Sequence, residues 1–174
     1  MYVTERLVRE AVNNAHKVLS SIVPNYSTPY IKDITITNAS SYWALISKSK
    51  YWEDTFNLRI SRSFNLIPDE SKAKNRLEEC LIHELIHTLP KCWNHGHYFQ
   101  LYASRINRMY PQYHIQTSTS DSEVGIKRPE KQPKYISRCK GCGNIHKWYR
   151  KPNYDIHLYC CSHCGSDVTL EPVV

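Results

Sequence analysis

No run in this 174-residue chain approaches the roughly 20 consecutive apolar residues that a membrane span requires. The opening Met1-Tyr2-Val3-Thr4-Glu5-Arg6 lacks the basic start and apolar centre of a signal peptide. A cytoplasmic protein without a membrane partner is therefore expected, nucleoid-associated in a bacterium or nuclear in a eukaryote. The length leaves no room for two large domains, only for one domain with a sizeable core and a small appended module. Neither disorder nor a fibrous repeat fits a chain that is 41% hydrophobic and 22% charged. A local absence also matters: residues 85–120 contain no Asp or Glu.

Seven cysteines are present, five of them between residues 139 and 164. In a reducing compartment they read as metal ligands or buried apolar groups rather than disulfides. Of the net charge of +7, the informative part is local. Residues 127–151 hold nine Lys or Arg against the single acid Glu130, a balance of 9 − 1 = +8. That run suits either an anionic partner or a solvated linker and module surface.

From Thr4 to about Ser20, Leu7, Val8, Ala11, Ala15, Val18 and Leu19 recur at helical spacing. Three short strands are expected next, at Ile31–Thr37, Tyr42–Ser47 and Thr55–Ser61. In the third, Phe56, Leu58 and Ile60 alternate with Asn57, Arg59 and Ser61, the period of a strand with one buried face. A second helix should start at Pro68-Asp69-Glu70-Ser71 and stop at Pro90, with Leu77, Leu81, Leu85 and Leu89 as its apolar stripe, widened by Ile82 and Ile86. A third should run from near Asn94 to Met109, packing Phe99, Ala103 and Ile106. Composition divides the chain into a first domain at 1–115, a linker at 116–134 and a cysteine module at 135–174.

The second helix carries His83-Glu84-Leu85-Ile86-His87. Residues four apart share a helical face, so His83 and His87 can present two imidazole nitrogens to one zinc ion. Glu84 is rotated off that face and suits a general base acting on water at the metal. With no acid in 85–120, a third ligand must come from His95, His97, His114 or Cys92. His95 is favoured over His97, since it follows the turn Leu89–Asn94 and can fold back; Cys92 reads as a small buried residue.

Two C-x-x-C pairs, Cys139/Cys142 and Cys161/Cys164, lie eighteen residues apart with Gly143 and Gly165 just behind them. This spacing describes two knuckles closing a structural zinc site. Cys80 and Cys160 are then expected as buried thiols. Around the knuckles, Lys140, Lys147, Trp148, Tyr149, Arg150 and Lys151 mix cations with aromatics, as a surface that grips phosphates and stacks bases would; the alternative is a ribbon too small to bury its rings.

HELIH followed by His95-Gly96-His97-Tyr98-Phe99 resembles the HExxH…HGxxF signature of the SprT-like metallopeptidases, the group that includes Spartan. The resemblance extends upstream, where Tyr42–Ile46 and Asn57–Ser61 sit where that family has its small sheet and active-site edge strand, and downstream into the cysteine module. It departs from the pattern in its short ligand spacing and in the additional His97. It implies an α+β, zincin-like fold, a small and mostly antiparallel sheet packed on helices with the motif on a central helix, followed by a zinc ribbon. It further implies His95 as third ligand, two zinc ions (one catalytic, one structural), and a metallopeptidase acting on proteins bound or crosslinked to DNA, single-stranded or junction-containing. The competing expectation is a zinc-containing DNA-binding or adaptor protein with weak or no peptidase activity.

Overall fold

Thr4 opens the first helix, α1 (Glu5–Ile22), by accepting the Leu7 N–H on its hydroxyl at 3.3 Å. Glu5 in the first turn complements the positive end of the dipole. The helix buries Val8, Ala11, Val12, Ala15, Val18, Leu19 and Ile22, while Arg6–Glu10 and Glu5–Arg9 pair on the solvent side. In this computed structural model the described residues are 2–50, 54–118, 120–126 and 132–173.

Three strands follow: β1 (Tyr30–Thr37), β2 (Ala44–Lys48) and β3 (Thr55–Ser61). They lie in the order β1-β3-β2, with β1 parallel to β3 and β2 antiparallel to it. The central β3 buries Phe56, Leu58 and Ile60, and its partners Ala44 and Ile46 on β2 are buried opposite Ile60 and Leu58. Ser61, expected on the polar face, is instead fully buried. Its hydroxyl donates to the Ala39 carbonyl and accepts the Ser63 N–H at 3.0 Å, so the polar group enters the core already paired.

The second helix, α2 (Glu70–Ile86), is capped by Asp69, whose carboxylate accepts the Lys72 N–H at 3.0 Å. Ala73, Leu77, Leu81, Ile82, Leu85 and Ile86 are buried, and so, unusually, are Glu79 and Glu84. The helix ends before the expected stop at Pro90. His87 is its C-cap, and the Thr88 hydroxyl and N–H both return to the Leu85 carbonyl. The residue before a proline resists helical dihedrals, so the chain leaves the helix early. Helix α3 (His97–Met109) begins later than expected because the Asn94 side chain accepts the Gly96 N–H at 3.0 Å and holds those residues in a turn. Phe99, Ala103 and Ile106 are its buried positions.

The chain divides into two compact units, Met1–Lys127 and Arg128–Val174. Residues 116–126 are linker-like in composition, yet Ile126 is buried and Val124 packs on the first unit's core. The second unit holds β4 (Tyr135–Cys139), β5 (Ile145–Trp148) and β6 (Val168–Pro172), all antiparallel in the order β5-β4-β6. Among the described residues the protein is thus α+β, with three α-helices and two small sheets in which β1–β3 is the one parallel pairing between named strands. None of the described helices is long and apolar enough to cross a membrane.

Ser61→Ala removes the acceptor of the buried Ser63 N–H, and a loss of about 1–3 kcal/mol is expected in urea unfolding. An unchanged midpoint would mean that the buried hydroxyl contributes nothing.

Candidate metal centres

Two backbone carbonyls orient the histidines of α2. The Nδ1 of His83 meets the Gln116 oxygen at 2.7 Å, and the Nδ1 of His87 meets the Cys92 oxygen at 2.6 Å. A carbonyl only accepts, so each Nδ1 carries the hydrogen. A neutral imidazole protonated there has a bare lone pair at Nε2. Burial first, and then the neighbouring His87, lowers the His83 pKa to about 4; burial also lowers that of His87. Both rings are therefore neutral at pH 7.

Their two bare Nε2 atoms stand 3.2 Å apart, too close for lone pairs with no proton between them. The His95 Nε2 lies 3.0 Å from that of His83. Bonds of 2.0–2.1 Å to a tetrahedral zinc would separate ligand nitrogens by about 3.3 Å, so the trio fits such an ion. His95 joins the cluster and His97 does not; the His97 ring is exposed and packs against Tyr98. Beneath the trio lies Phe99, fully buried, with its ring centroid 4.8–4.9 Å from all three imidazoles.

Glu84 projects about 100° around the helix from His83 and reaches β2, where its Oε2 accepts the Ile46 N–H at 2.8 Å. Burial pushes its pKa up to about 7, against the lowering effect of that N–H. A cleft of about 430 Å³ brings these groups together, with Ala44–Ile46 of β2 on one side and His114–Ser118 on another. Cys80 and Cys92 are buried, and Cys92 contributes its carbonyl rather than its thiol.

In the second unit Cys139, Cys142, Cys161 and Cys164 converge, with Sγ separations of 3.4 Å for Cys139–Cys164 and 3.7 Å for Cys142–Cys161. Zinc–sulfur bonds of 2.3 Å imply an edge of about 3.8 Å, so this set also fits zinc. Each knuckle closes on a glycine: Gly143 donates to the Cys139 carbonyl and Gly165 to that of Cys161, both at positive φ (71° and 75°), which a side chain would resist. The Gly141 and Cys142 N–H groups point at the Cys139 sulfur, and that of His163 at the Cys161 sulfur. Cys160, expected as a buried thiol, is exposed; its backbone forms a bridge with Asp167, and its side chain is left outside the cluster.

Lys140, Lys147, Tyr149, Arg150 and Lys151 are all exposed, and the Lys140 ammonium lies 4.0 Å from Asp167. Trp148 is half-buried, donates to the Ser137 hydroxyl at 3.0 Å, and meets His146 and Tyr154 edge-on. Tyr154 in turn packs on Tyr159. Lys127, Arg128 and Lys131, which begin the basic run, lie outside the described residues. Compared with known proteins, the sequence matches no family model and no curated protein.

Sequence reasoning overlooked the Gln116 and Cys92 carbonyls and the Ile46 amide, which are backbone groups carrying no residue-type signal. It read Phe99 only as core, although its place four residues after His95 puts it beneath the cluster.

The Glu84 carboxyl has a folded pKa raised from 4.5 to about 7, so whatever favours its buried, protonated form is complete below pH 4.5 and is lost as the pH rises through 7. In the metal-stripped protein, Glu84→Gln should therefore gain stability relative to wild type between pH 4.5 and 8, by up to ~3 kcal/mol. A pH-independent difference in urea unfolding would rule out that burial cost.

Proposed function

We propose that this chain is a zinc-dependent metallopeptidase of the SprT-like type, directed to proteins bound or crosslinked to DNA. The observation that carries this reading is the placement of one carboxylate, Glu84, in the same cleft as three converging imidazoles. A site needed only to stabilise the fold has no use for a buried acid beside the ligands, whose desolvation is costly. The helix bearing HELIH beside a sheet edge also suits the zincin-like architecture.

His83, His87 and His95 would hold a zinc ion, which would serve as a Lewis acid toward the scissile carbonyl and lower the pKa of a water to about 7. Glu84 takes the proton of the attacking water on Oε1, its Oε2 being engaged by Ile46, and delivers it to the leaving amine nitrogen. Strand β2 guides the substrate. Trp43 and Ser49, flanking it, bond toward β3, so by antiparallel alternation Ala44, Ile46 and Lys48 turn their amides outward. An extended polypeptide can bond to the outward groups of Ala44 and Lys48, which flank the Ile46 amide held by Glu84.

The four-cysteine cluster is the structural site of a zinc ribbon, closed to substrate. Exposed Lys147, Tyr149, Arg150 and Lys151 beside it support a role in holding nucleic acid, single-stranded or junction-containing, by phosphate contacts and stacking. A DNA-binding adaptor without peptidase activity is the competing reading, and Glu84 is the residue that separates the two.

Wild type and Glu84→Gln, incubated with a DNA-binding protein with and without single-stranded DNA, should differ in cleavage rate by about 10²–10⁴-fold. DNA should accelerate the wild type. Equal cleavage by both would remove the mechanism, while DNA-independent cleavage would retain the peptidase and remove the docking role. Elemental analysis should find about two zinc ions per chain. His87→Ala should lose one of them and Cys142→Ser the other; loss of both from either variant would contradict independent sites.

A further inference from the structure

The cleft wall formed by His114–Ser118 includes His114, to which the mechanism above assigns no role. Residues 113–116 are fastened on both sides. The Tyr113 hydroxyl donates to Glu78 at 2.6 Å, the His114 N–H to Glu79 at 2.8 Å, and Ile115 exchanges hydrogen bonds with the Asn107 side chain at 2.7 and 3.0 Å. Gln116 then accepts from His83. The Glu79 carboxylate that anchors His114 is itself buried and takes further bonds from Asn75 and Arg76. So much buried polarity is expensive unless position is what it secures.

The His114 side chain takes no part in this scaffold. It is exposed, lines the cleft, and has no hydrogen-bond or ring partner among the described residues. Several other donors in the cleft are already committed. The Tyr42 hydroxyl is bonded to Thr37, Arg76 to Glu79 and the Gln116 side chain to Glu123. Trp93 packs its ring against Phe56 of β3. Thr117 and Ser118 lie beyond the last fastened residue.

Position makes the assignment specific. His83 points to the 114–118 wall and Glu84, about 100° round the helix, points to β2. His114 is two residues from Gln116, hence within about 7 Å of it along the chain. Resting on the peptidase reading, we infer that His114 is a catalytic residue that donates a ring N–H hydrogen bond to the carbonyl oxygen of the substrate as it becomes an oxyanion. In that step the water oxygen bonds to the carbonyl carbon, the π pair moves onto the carbonyl oxygen, and the water's proton passes to Glu84. When the C–N bond breaks, the pair on oxygen re-forms the carbonyl and the proton leaves with the nitrogen. A donor on a cleft wall other than the base's strengthens its bond as charge grows, which lowers the barrier without tightening the ground state.

His114→Ala, His114→Asn, Glu84→Gln and wild type are compared on an unstructured fluorogenic polypeptide and for binding of a phosphinic peptide, a tetrahedral mimic. Because the Glu79 bond uses the His114 backbone, these substitutions leave the scaffold intact. His114→Ala should lower kcat by about 10²–10³-fold with KM and zinc content unchanged, and weaken the phosphinic peptide by a similar factor. His114→Asn, which keeps a donor, should recover part of both. Wild-type kcat and inhibitor affinity in His114→Ala, with Glu84→Gln inactive, would overturn the assignment and leave the peptidase standing. Loss of zinc from His114→Ala would overturn it by making the residue a support of the metal ligands. If Glu84→Gln matches wild type, or wild type does not cleave, the peptidase reading fails and this assignment with it.

Discussion

Two hydrogen bonds from imidazole Nδ1 atoms to backbone carbonyls govern the first unit's site. By fixing the tautomers of His83 and His87, the Gln116 and Cys92 oxygens turn two ordinary side chains into a pair of opposed lone pairs 3.2 Å apart. That arrangement is repulsive by itself and becomes favourable around a cation. Both carbonyls come from segments that other interactions must first place. Cys92 lies in the turn between α2 and α3, and Gln116 follows the stretch tied to Glu78, Glu79 and Asn107. The tertiary fold therefore enters the site through backbone oxygens.

Helix α2 combines tasks that usually conflict. Its leucine and isoleucine positions make it the centre of the hydrophobic core, yet it also buries Glu79 and Glu84. Each carboxylate is answered by groups from another element: Glu79 by the His114 amide, and Glu84 by the Ile46 amide. Apolar burial holds the helix in the core, and the two carboxylates fasten it to the cleft's opposite walls. Desolvation leaves Glu84 poised near neutrality, the range in which a proton acceptor works best.

The features readable in the sequence were those with a local cause. Helical periodicity, the helix start at Pro68–Ser71, the alternation of Phe56, Leu58 and Ile60, and the spacing of the C-x-x-C pairs all state their physics within a few residues. The missing acids in 85–120 left His95, His97, His114 and Cys92 as candidates, the turn at Leu89–Asn94 and the resemblance favoured His95, and the geometry joins it to the other two histidines. What stayed hidden depends on distant chain. The parallel pairing of β1 with β3, the burial of Ser61 under Ala39, and the attachment of 116–126 to the first unit need partners remote in sequence. Cys160 shows the converse: adjacent to a ligand and read as buried, it faces solvent because the knuckle turns its neighbour inward.

The bond between Glu84 and Ile46 also bears on solubility. Strand β2 ends the sheet, and an edge with a free row of amides is a template for another chain to add to. Ile46 is buried, and its outward amide is occupied by a carboxylate from α2. The ladder is thereby interrupted at its midpoint, where a second copy of the protein would otherwise find an unbroken register. An acid placed against a strand edge is a recognised guard against intermolecular pairing, so the residue proposed to do the chemistry also helps keep its own cleft from serving as a seam between molecules.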